Sequence, residues 1–410
     1  MNIQSVRAWR ILDSRGNPTV ACEVALEDGS VGYGDAPAGA STGSHEAHES
    51  RDGEAAFGGR DVTRAIQGVN TEIAAALTGM DACNQRDIDL AMIDLDGTED
   101  KARLGSNALL AVSIANAAAA AQSARMPLYR WLGGMAAGEL PCPMMNVLNG
   151  GRHADNNLDI QEFMLVPSGA DDFAGAMRMG AECYHALKSL LLEQGLATGV
   201  GDEGGFAPNL DSDDLALELL VTAIERAKYA PGEDVCIAID AAAGEWRAPE
   251  GYLLPKRNQA RTRDALIDEY AALAARFPLI SIEDPLGEDD FDGFREITDR
   301  LGGEIMIVGD DLFTTHASRL IQGAAVGAAN AILIKPNQVG TLTETLDTVS
   351  LARRAGYSVV LSHRSGDTES PFLADLAVAI GADYLKSGAP ARSERLAKYN
   401  RLARIELDLD

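Results

Sequence analysis

The chain has 410 residues, 46% of them hydrophobic, and carries a formal net charge of −27 with a pI of about 4.5. This size and hydrophobic content can supply one large core and a smaller one, so we expect two domains. The strongly acidic charge argues against nucleic acid or an anionic membrane surface as a partner, because both would repel the chain.

The first 134 residues predict a small α+β domain. Three segments that alternate apolar and polar residues, IQSVRAWRIL, PTVACEVAL and SVGYGDA, indicate strands. Helical patterns follow at about 62 to 79, 86 to 95 and 106 to 125. The Ala-rich stretch NALLAVSIANAAAAA is too short and too often interrupted by polar residues to cross a membrane. We therefore expect it to form a buried helix of small side chains.

The cellular setting is predicted from the first residues and from the cysteines. MNIQSVRAWRILDSRGNPTV carries charges where a signal peptide needs an unbroken apolar core. The five cysteines are widely spaced and include no C-x-x-C pair, which argues against a disulfide framework and against a zinc site. We expect a cytoplasmic protein.

The segment GGMAAGELPCP has the glycine and proline content of a linker, so a boundary is expected near residue 135, with domains at 1–134 and 135–410. The second domain should begin at PMMNVLNGG. Two glycine-rich stretches leave alternatives open. APAGASTGSHEA is either a mobile loop that brings the Ser41 hydroxyl to a metal or phosphate, or a loop that caps the next helix. GVGDEGGFAPN presents Glu203 either at a close approach to a ligand or on a tight turn.

Six apolar segments in the second half of the chain end on polar side chains suited to catalysis or metal binding. They are VCIAID at Asp240, LISIED at Glu283, EIMIVGDD at Asp310, AILIK at Lys335, VVLSHR at His363 and ADYLK at Lys386. Amphipathic patterns such as DDFDGFREITDRLG fill the gaps, which predicts repeated β/α units and a parallel sheet closed into a barrel. The carboxyl ends of barrel strands surround one cavity, so these side chains should meet there.

The acidic members of this set, Asp240, Glu283 and Asp310, predict a metal site. Any one polar residue at a strand end can simply meet solvent, but six in register favour a shared pocket. Crowded carboxylates repel one another unless a cation neutralises them. Oxygen ligands without paired His or Cys suit a hard ion such as Mg²⁺.

Nine strings along the chain resemble the enolase family. They are DSRGNPTV, GASTGSHEA, MNVLNGGRHADNNLDIQEFM, GVGDEGGFAPNL, SIEDP, VGDDL, LIKPNQVGTLTET, SHRSGDTE and GAPARSERLAKYNRLARIE, in the family's order over essentially the whole chain. The resemblance implies an α/β fold, with a small N-terminal α+β domain before a modified eightfold β/α (TIM-like) barrel. It also implies a glycolytic lyase that removes water from 2-phosphoglycerate to give phosphoenolpyruvate.

The same resemblance implies two Mg²⁺ ions in each active site. Asp240, Glu283 and Asp310 match the ligands of the tightly held ion. Ser41, in the mobile loop, matches a contact to a second Mg²⁺ that arrives with the substrate.

The remaining matches imply roles in substrate binding and proton transfer. Lys335 matches the base that takes the proton from the carbon beside the carboxylate. Glu203 matches the acid that assists departure of hydroxide, supported by Glu162 and Gln161. The other matches are a substrate-carboxylate contact, a phosphate clamp and two active-site histidines: Lys386, Arg364 with Ser365, and His153 with His363.

The chemistry places opposite demands on the base and the acid. Removing a proton beside a carboxylate creates a dianion that must be stabilised as it forms. A Lys or His base with one or two Mg²⁺ ions is already the known pattern of enolase-superfamily sites, so that pairing is not inferred from this sequence. Lys335 must be neutral, and nearby Lys386 and metal cations are expected to lower its pKa. Glu203 must hold a proton, which burial among carboxylates favours.

Five strings depart from the common family pattern. Where enolases usually have PSGAST, NGGSHA, LKVNQ, ASEF and TEDT, this chain has PAGAST, NGGRHA, IKPNQ, AGEW and TESP. Arg152 is expected to add a cation near the substrate, and Pro336 stiffens the backbone after Lys335. The changes are either neutral drift in loops or signs of a larger or more anionic substrate.

Three hypotheses of function follow. The first is a glycolytic enolase. The second is a specialised enolase paralogue that resembles the carboxyphosphonoenolpyruvate synthases of phosphonate natural-product pathways. The third is a non-catalytic, enolase-like binding protein. In the first two, the expected partner is a small phosphorylated carboxylic acid, with no nucleic acid or membrane, and the resemblance implies a homodimer or higher homo-oligomer.

Overall fold

The computed structural model describes residues 1–40 and 43–409. The predicted contact of Ser41 with a metal or phosphate therefore falls outside the described residues. Within those ranges, no helix is both long enough and apolar enough to cross a bilayer. All five cysteines are free thiols, in agreement with the sequence-based argument against a disulfide framework.

The N-terminal part is an antiparallel sheet followed by helices, as predicted. The strands β1 (Ile3–Leu12), β2 (Pro18–Leu26) and β3 (Val31–Asp35) pair in chain order. The helices are α1 (Thr63–Gly68), α2 (Ala74–Leu77), α3 (Gln85–Asp96) and α4 (Ser106–Ser123), with a π-helical turn at Val69–Ile73 joining the first two. The predicted Ala-rich helix is α4, and nearly all of it is buried.

Small residues allow α4 to lie directly on the sheet. A Cβ added to Gly32 would come 2.1 Å from the Ala115 carbonyl oxygen, so the backbones approach more closely than any side chain at that position would permit. Helix α4 also contributes Leu110 and Ile114 to the large core of the second half of the chain. The N-terminal sheet is thereby packed against the rest of the molecule.

The second half is a closed eight-stranded barrel. Helix α5 (Leu128–Gly133) precedes it. The barrel strands are β4 (Cys142–Asn149), β5 (Glu162–Val166), β6 (Cys236–Asp240), β10 (Leu279–Glu283), β11 (Met306–Gly309), β12 (Ala331–Ile334), β13 (Ser358–Ser362) and β14 (Tyr384–Lys386). The surrounding helices are α6 (Phe173–Glu193), α7 (Asp213–Arg226), α8 (Arg263–Arg276), α9 (Phe291–Leu301), α10 (Ala317–Val326), α11 (Leu342–Arg354), α12 (Phe372–Ala379) and α13 (Ser393–Leu409).

The barrel differs from a uniform β/α repeat at its start. Strand β5 runs antiparallel to both β4 and β6, whereas the other neighbouring strands are parallel. The reason is local, because residues 150–161 contain no crossover helix that could return the chain for a parallel pairing. A small sheet of β7 (Arg247–Ala248), β8 (Gly251–Leu254) and β9 (Gln259–Arg261) is inserted after β6, and no sequence pattern indicated it.

Side-chain caps and apolar layers fix the barrel. Ser212, Thr262 and Thr341 each accept a hydrogen bond from the backbone N–H three residues later, which satisfies a donor at the start of α7, α8 and α11. A compact apolar cluster fills the barrel interior below the strand ends: Met144, Met164, Val166, Ala238, Val308, Ala331, Leu333 and Val360. The carboxyl ends of the strands are left to form a polar cavity above it.

Candidate active site

The polar residues predicted at the strand ends line a single cavity. Asp240, Glu283 and Lys386 are the last residues of their strands, and Asp310, Lys335 and His363 directly follow theirs. The cavity has an empty volume of about 540 Å³ and opens to solvent. Its lining contains more acidic than basic side chains: Gly39, Glu46, His153, Gln161, Glu162, Glu203, Asp240, Ala242, Glu245, Asp284, Asp310, Asp311, Lys335, Ser362, His363, Arg364, Ser365 and Lys386.

The ammonium group of Lys386 lies among three carboxylates at the floor of this cavity. Its Nζ is 2.9 Å from both Glu283 oxygens, 3.1 Å from Asp240 Oδ2 and 3.0 Å from Glu162 Oε2. The strand register explains the convergence, because Glu283 pairs with Asp240 and Asp240 pairs with Glu162. Gln161 Nε2 donates to Asp240 Oδ2 at 3.3 Å. A buried cation thus holds the carboxylates together.

Asp310 is held by a second lysine and by an amide. Lys335 Nζ forms an ion pair with Asp310 Oδ2, and Gln338 Nε2 donates to Asp310 Oδ1 at 3.1 Å. The neighbouring Asp284 has a left-handed backbone, with φ of 40°, and accepts the backbone N–H groups of Asp310 and Asp311 at 3.0 and 2.8 Å. Asp284 therefore fixes the turn that presents Asp310 to the cavity.

The donor set fits a hard divalent cation. Oxygens of Asp284, Asp310 and Asp311 lie within 4.8 Å of one another. Only Asp310 of these three is a predicted ligand, and the other two predicted ligands, Asp240 and Glu283, lie instead around Lys386. Burial raises the pKa of Glu283 well above its usual range; Asp240 adds to the rise, and Lys386 opposes it. Burial likewise raises the pKa of Asp311 to about 7. A raised carboxyl pKa means that burial and neighbouring carboxylates disfavour the ionised form, and a bound cation would favour it.

The second cluster in the cavity consists of Glu203 and two histidines. Glu203 Oε2 accepts from Asn146 Nδ2 at 2.9 Å and lies 3.3 Å from His363 Nε2. His153 Nδ1 lies 3.8 Å from Glu203 Oε1 and 3.3 Å from Glu162 Oε1. The loop between β4 and β5 carries His153, and the glycine-rich loop after α6 carries Glu203. Gly204 turns tightly at φ of 87°, and Glu203 lines the cavity, so the tight turn is present while the approach to a ligand stays a prediction.

The pKa directions in this cluster run against one sequence-based expectation. Burial acts to raise the pKa of Glu203, but His363 and His153 outweigh it, so the pKa lies well below its usual value. Burial acts to lower the pKa of His153, while Glu203 and Glu162 raise it overall. Burial raises the pKa of Glu162, and Glu203 adds to that rise. These pKa directions favour a proton on His153 or Glu162, whereas the sequence-based expectation placed it on Glu203.

The expected lowering of the Lys335 pKa is also absent. Burial acts to lower this pKa, and so do Arg364 and Lys386, but the contact with Asp310 raises it overall. The expectation rested on Lys386 and on metal cations; Lys386 does act to lower this pKa, but the nearest partner of Lys335 is the Asp310 carboxylate. In the structure, Lys335 is the charged counter-ion of Asp310.

The residues of the predicted phosphate clamp, Arg364 and Ser365, also line the cavity. Arg364 is buried and pairs with Glu46, with Nη1 2.8 Å from Oε2 and Nη2 3.1 Å from Oε1. Ser365 Oγ accepts from the backbone N–H of Ala40 at 2.6 Å. Farther along the loop, Ser44 Oγ donates to Glu288 Oε1 at 2.8 Å. Ala40 therefore contacts a residue of the cavity lining, whereas Ser44 contacts Glu288, which lies outside that lining.

Arg152 and Pro336, which depart from the usual family pattern, do not line the central cavity. Arg152 is 58% exposed, and its Nε lies 2.9 Å from Glu245 Oε2. Arg152 lines a neighbouring cavity, which shares Gln161, Ala242 and Glu245 with the central one. The expected extra cation near the substrate is thus displaced and neutralised by Glu245. Pro336 is buried and begins a short 3₁₀ helix beside an adjacent apolar cavity.

Several site residues were missed by the strand-end reasoning. Glu46, Asp284 and Asp311 line the cavity, and Asn146 and Gln338 hydrogen-bond to proposed functional carboxylates. Asp284 and Asp311 each directly follow a predicted ligand in SIEDP and VGDDL, so the doubled acids were a usable signal. Nothing in the sequence alone distinguishes Asn146 from other polar residues of a strand.

Comparison with known proteins agrees with this architecture. The family model described as the enolase N-terminal domain matches residues 3–132, and the enolase C-terminal TIM barrel domain matches residues 137–410. A curated relative named enolase, from Acidothermus cellulolyticus, is 56% identical over 408 residues, which cover all of this chain and 95% of the relative. With both domains matched and a full-length relative at this identity, the chain belongs to the enolase family.

Proposed function

We propose that the chain is a divalent-metal-dependent lyase that dehydrates 2-phosphoglycerate to phosphoenolpyruvate. The observation that carries the proposal is the convergence of Asp240, Glu283, Asp310, Lys335 and Glu203 on one cavity, each presented by a different segment of the barrel. The full-length similarity to a relative named enolase supports the same reaction.

The proposed metal ligands are Asp240, Glu283 and Asp310, and the ion that suits them is Mg²⁺. In support of this assignment, their carboxyl oxygens lie around the ammonium groups of Lys386 and Lys335. We propose two ions per site, the second contacting Ser41. When bound, the ions supply positive charge to the substrate carboxylate as the dianion forms.

Lys335 is the proposed base. Its Nζ takes the proton from the carbon beside the substrate carboxylate, and this requires the amine to be neutral. The contact that now keeps it protonated is Asp310, a proposed metal ligand. If Asp310 held a metal ion, its contact with Lys335 would weaken, and the pKa of Lys335 would fall.

Glu203 is the proposed acid for the second half of the reaction. The carbon–oxygen bond of the neighbouring carbon breaks as hydroxide receives a proton from Glu203 and leaves as water. The source of this proton is His153 or Glu162, because His153 Nδ1 lies 3.8 Å from Glu203 Oε1 and 3.3 Å from Glu162 Oε1. Gln161 supports this region by orienting Asp240.

The substrate contacts are proposed at the two ends of the cavity. Lys386 is the cation for the substrate carboxylate, and Arg364 with Ser365 clamps the phosphate, for which a guanidinium offers paired donors. His153 and His363 complete the wall beside the reacting carbon.

The other two hypotheses are not favoured. A specialised paralogue was suggested by Arg152, but its side chain pairs with Glu245 outside the central cavity. A non-catalytic binding role does not require these catalytic side chains. Within the described residues, each proposed catalytic side chain contacts a charged or hydrogen-bonding partner, which favours catalysis.

The cellular location, the domain boundaries and the oligomeric state are proposed from less specific observations. We propose a cytoplasmic, glycolytic protein with domains at 1–134 and 135–410, in support of which the two family models meet between residues 132 and 137. We also propose a homo-oligomer, at least a dimer. Exposed Trp9 and Tyr33 pack edge to face, 6.4 Å apart, on the outer side of the N-terminal sheet, and such aromatic patches are typical of interfaces.

A steady-state assay tests the reaction. Purified protein with Mg²⁺ and 2-phosphoglycerate is expected to form phosphoenolpyruvate, followed by its absorbance, at a turnover of about 10 per second or more. Loss of turnover after chelation and recovery on adding Mg²⁺ would support the metal requirement. Turnover below about 1% of that rate, in protein shown to bind Mg²⁺, would contradict the proposal.

A further inference from the structure

A fully buried arginine contacts the back of one active-site histidine. Arg395, on α13, has none of its side chain exposed, and its Nη1 lies 2.6 Å from His363 Nδ1. The same guanidinium donates to the carbonyl oxygens of Arg364, Ser365 and Asp202 at 2.7, 2.6 and 3.1 Å. The group is therefore held by three backbone acceptors and cannot easily turn away from the imidazole.

This contact determines where the imidazole proton lies. A guanidinium has only donors, so His363 Nδ1 must present its lone pair. The ring is then neutral, and its proton is on Nε2, which lies 3.3 Å from Glu203 Oε2. The pKa of His363, lowered to about 4 by burial and by Arg395 against the opposing effect of Glu203, agrees with a neutral ring. Asp367 is the other charged group that influences it.

The tautomer of His363 determines which oxygen of Glu203 can carry a proton. Glu203 Oε2 accepts a hydrogen bond from Asn146 Nδ2 at 2.9 Å and lies 3.3 Å from His363 Nε2, the nitrogen that carries the proton in this tautomer. A proton on Oε2 would point at those donors, so only Oε1 can carry one. Oε1 lies on the side of His153, whose Nδ1 is 3.8 Å away.

We propose that Arg395 is a positioning residue that fixes His363 as the Nε2–H tautomer and so restricts the acidic proton of Glu203 to Oε1. The inference rests on the proposed role of Glu203 as the acid. Arg395 contacts His363 and does not line the cavity, although its charge also helps to lower the pKa of Glu203. Its loss should impair elimination while leaving proton removal by Lys335 largely intact.

The test compares Arg395→Met, Arg395→Lys and Arg401→Met in the full-length protein. Arg401→Met is the matched control, because it removes a half-buried arginine paired with Asp375 from the same helix without touching the site. ¹⁵N NMR of histidine-labelled protein, without metal or substrate, reports the tautomer of His363, assigned by loss of its signals in His363→Gln. Dehydration and exchange of the carbon-bound proton of 2-phosphoglycerate in heavy water, both with Mg²⁺, report the two half-reactions.

In the wild type, we expect an unprotonated Nδ1 and a protonated Nε2. In Arg395→Met, both tautomers should appear, dehydration should fall about 100-fold, and proton exchange should change less than about threefold. An acid limb near pH 6.5 should enter the pH profile of dehydration as the imidazole becomes free to protonate. Arg395→Lys keeps a donor and should recover most of the loss, and Arg401→Met should match the wild type.

Two results would overturn the proposal. One is a protonated Nδ1 in the wild type. The other is an equal fall of exchange and dehydration in Arg395→Met or, if that variant does not fold, in Arg395→Lys, because a merely structural arginine would damage both steps. Failure of the proposed function is separable, since the wild type would then neither exchange nor dehydrate, whereas the tautomer is read without substrate.

Discussion

At the scale of single residues, the identity of the site residues and their protonation come from different sources. Lys335 and Glu203 were expected from motifs, and both line the cavity. The directions of their pKa shifts were not expected from motifs, because a pKa depends on which charged groups lie next to the side chain. Lys335 contacts Asp310, and Glu203 contacts His363, pairings that no strand-end pattern encodes.

Glu203→Gln separates the two half-reactions. The amide keeps the size of the side chain and cannot deliver a proton, so dehydration should fall about 10³-fold while exchange of the carbon-bound proton of 2-phosphoglycerate persists. The measurement is paired rates in heavy water with Mg²⁺. Equal loss of both rates would contradict the division of roles between Glu203 and Lys335.

Arg152→Ser restores the residue that enolases usually have. Because the Arg152–Glu245 pair is more than half exposed on the arginine side and lies outside the central cavity, its contribution should not exceed about 1 kcal/mol. We expect kcat/KM for 2-phosphoglycerate to change by less than about fivefold. An improvement greater than about tenfold would instead point to a substrate other than 2-phosphoglycerate.

At the scale of elements, a buried ionic network positions the loop that leads into β5. Arg257, from the turn between β8 and β9, donates to Asp159 at 2.6 Å and to Asp213 at 2.5 Å. Asp213, the first residue of α7, also accepts the backbone N–H groups of Asp159 and Ile160. This network fixes the segment directly before Gln161 and Glu162.

The network makes a prediction for stability against pH. Burial raises the pKa of Asp213 to about 6, so folding favours the protonated acid and stability falls as pH rises through the range from about 4 to 6. Between pH 5 and pH 7 the wild type should lose about 1 kcal/mol that Asp213→Asn does not lose. Urea unfolding at the two pH values measures it. Asp214→Asn, at the exposed neighbour paired with Arg276, is the control and should behave as the wild type does.

The sequence predicted the elements better than their connections. The three N-terminal strands, the Ala-rich α4 and the six strands from β6 to β14 were found from periodicity, because each buries a regular apolar pattern. The reversal of β5 and the sheet β7–β9 were not, since both depend on how residues 150–161 and 241–262 connect. The network of Asp159, Asp213 and Arg257 joins residues far apart in the chain, and only the fold brings them together.

At the scale of the whole molecule, an acidic chain concentrates further negative charge in its central cavity. The net charge of −27 disfavours anionic ligands at long range, so binding of a phosphorylated acid must rely on local cations. Lys386, Lys335 and Arg364 supply some of that charge but are paired with carboxylates. A divalent ion would shift this balance in favour of the substrate.

Metal binding should therefore stabilise the protein and release protons. Glu283, Asp284 and Asp311 all have raised pKa values, chiefly because they are buried, and a cation favours their ionised forms. At Mg²⁺ concentrations 100 times Kd, the gain in unfolding free energy should be about 2.7 kcal/mol. Thermal unfolding with Mg²⁺ or a chelator measures the gain, and weakly buffered titration near pH 6.5 measures the protons. Asp310→Asn should show little of either effect, and full retention of both would contradict its role as a ligand.

The assignment of Lys335 as the base is tested most directly by deuterium exchange in Lys335→Ala. The exchange is measured with Mg²⁺ at the carbon beside the carboxylate of 2-phosphoglycerate. Lys335 is the group assigned to that proton, and its neighbours assigned to the metal remain in place in this variant. We predict that the variant still binds substrate, as judged by calorimetry, and that exchange falls at least about 10³-fold below the wild type. Exchange at a rate near that of the wild type would show that another group removes the proton.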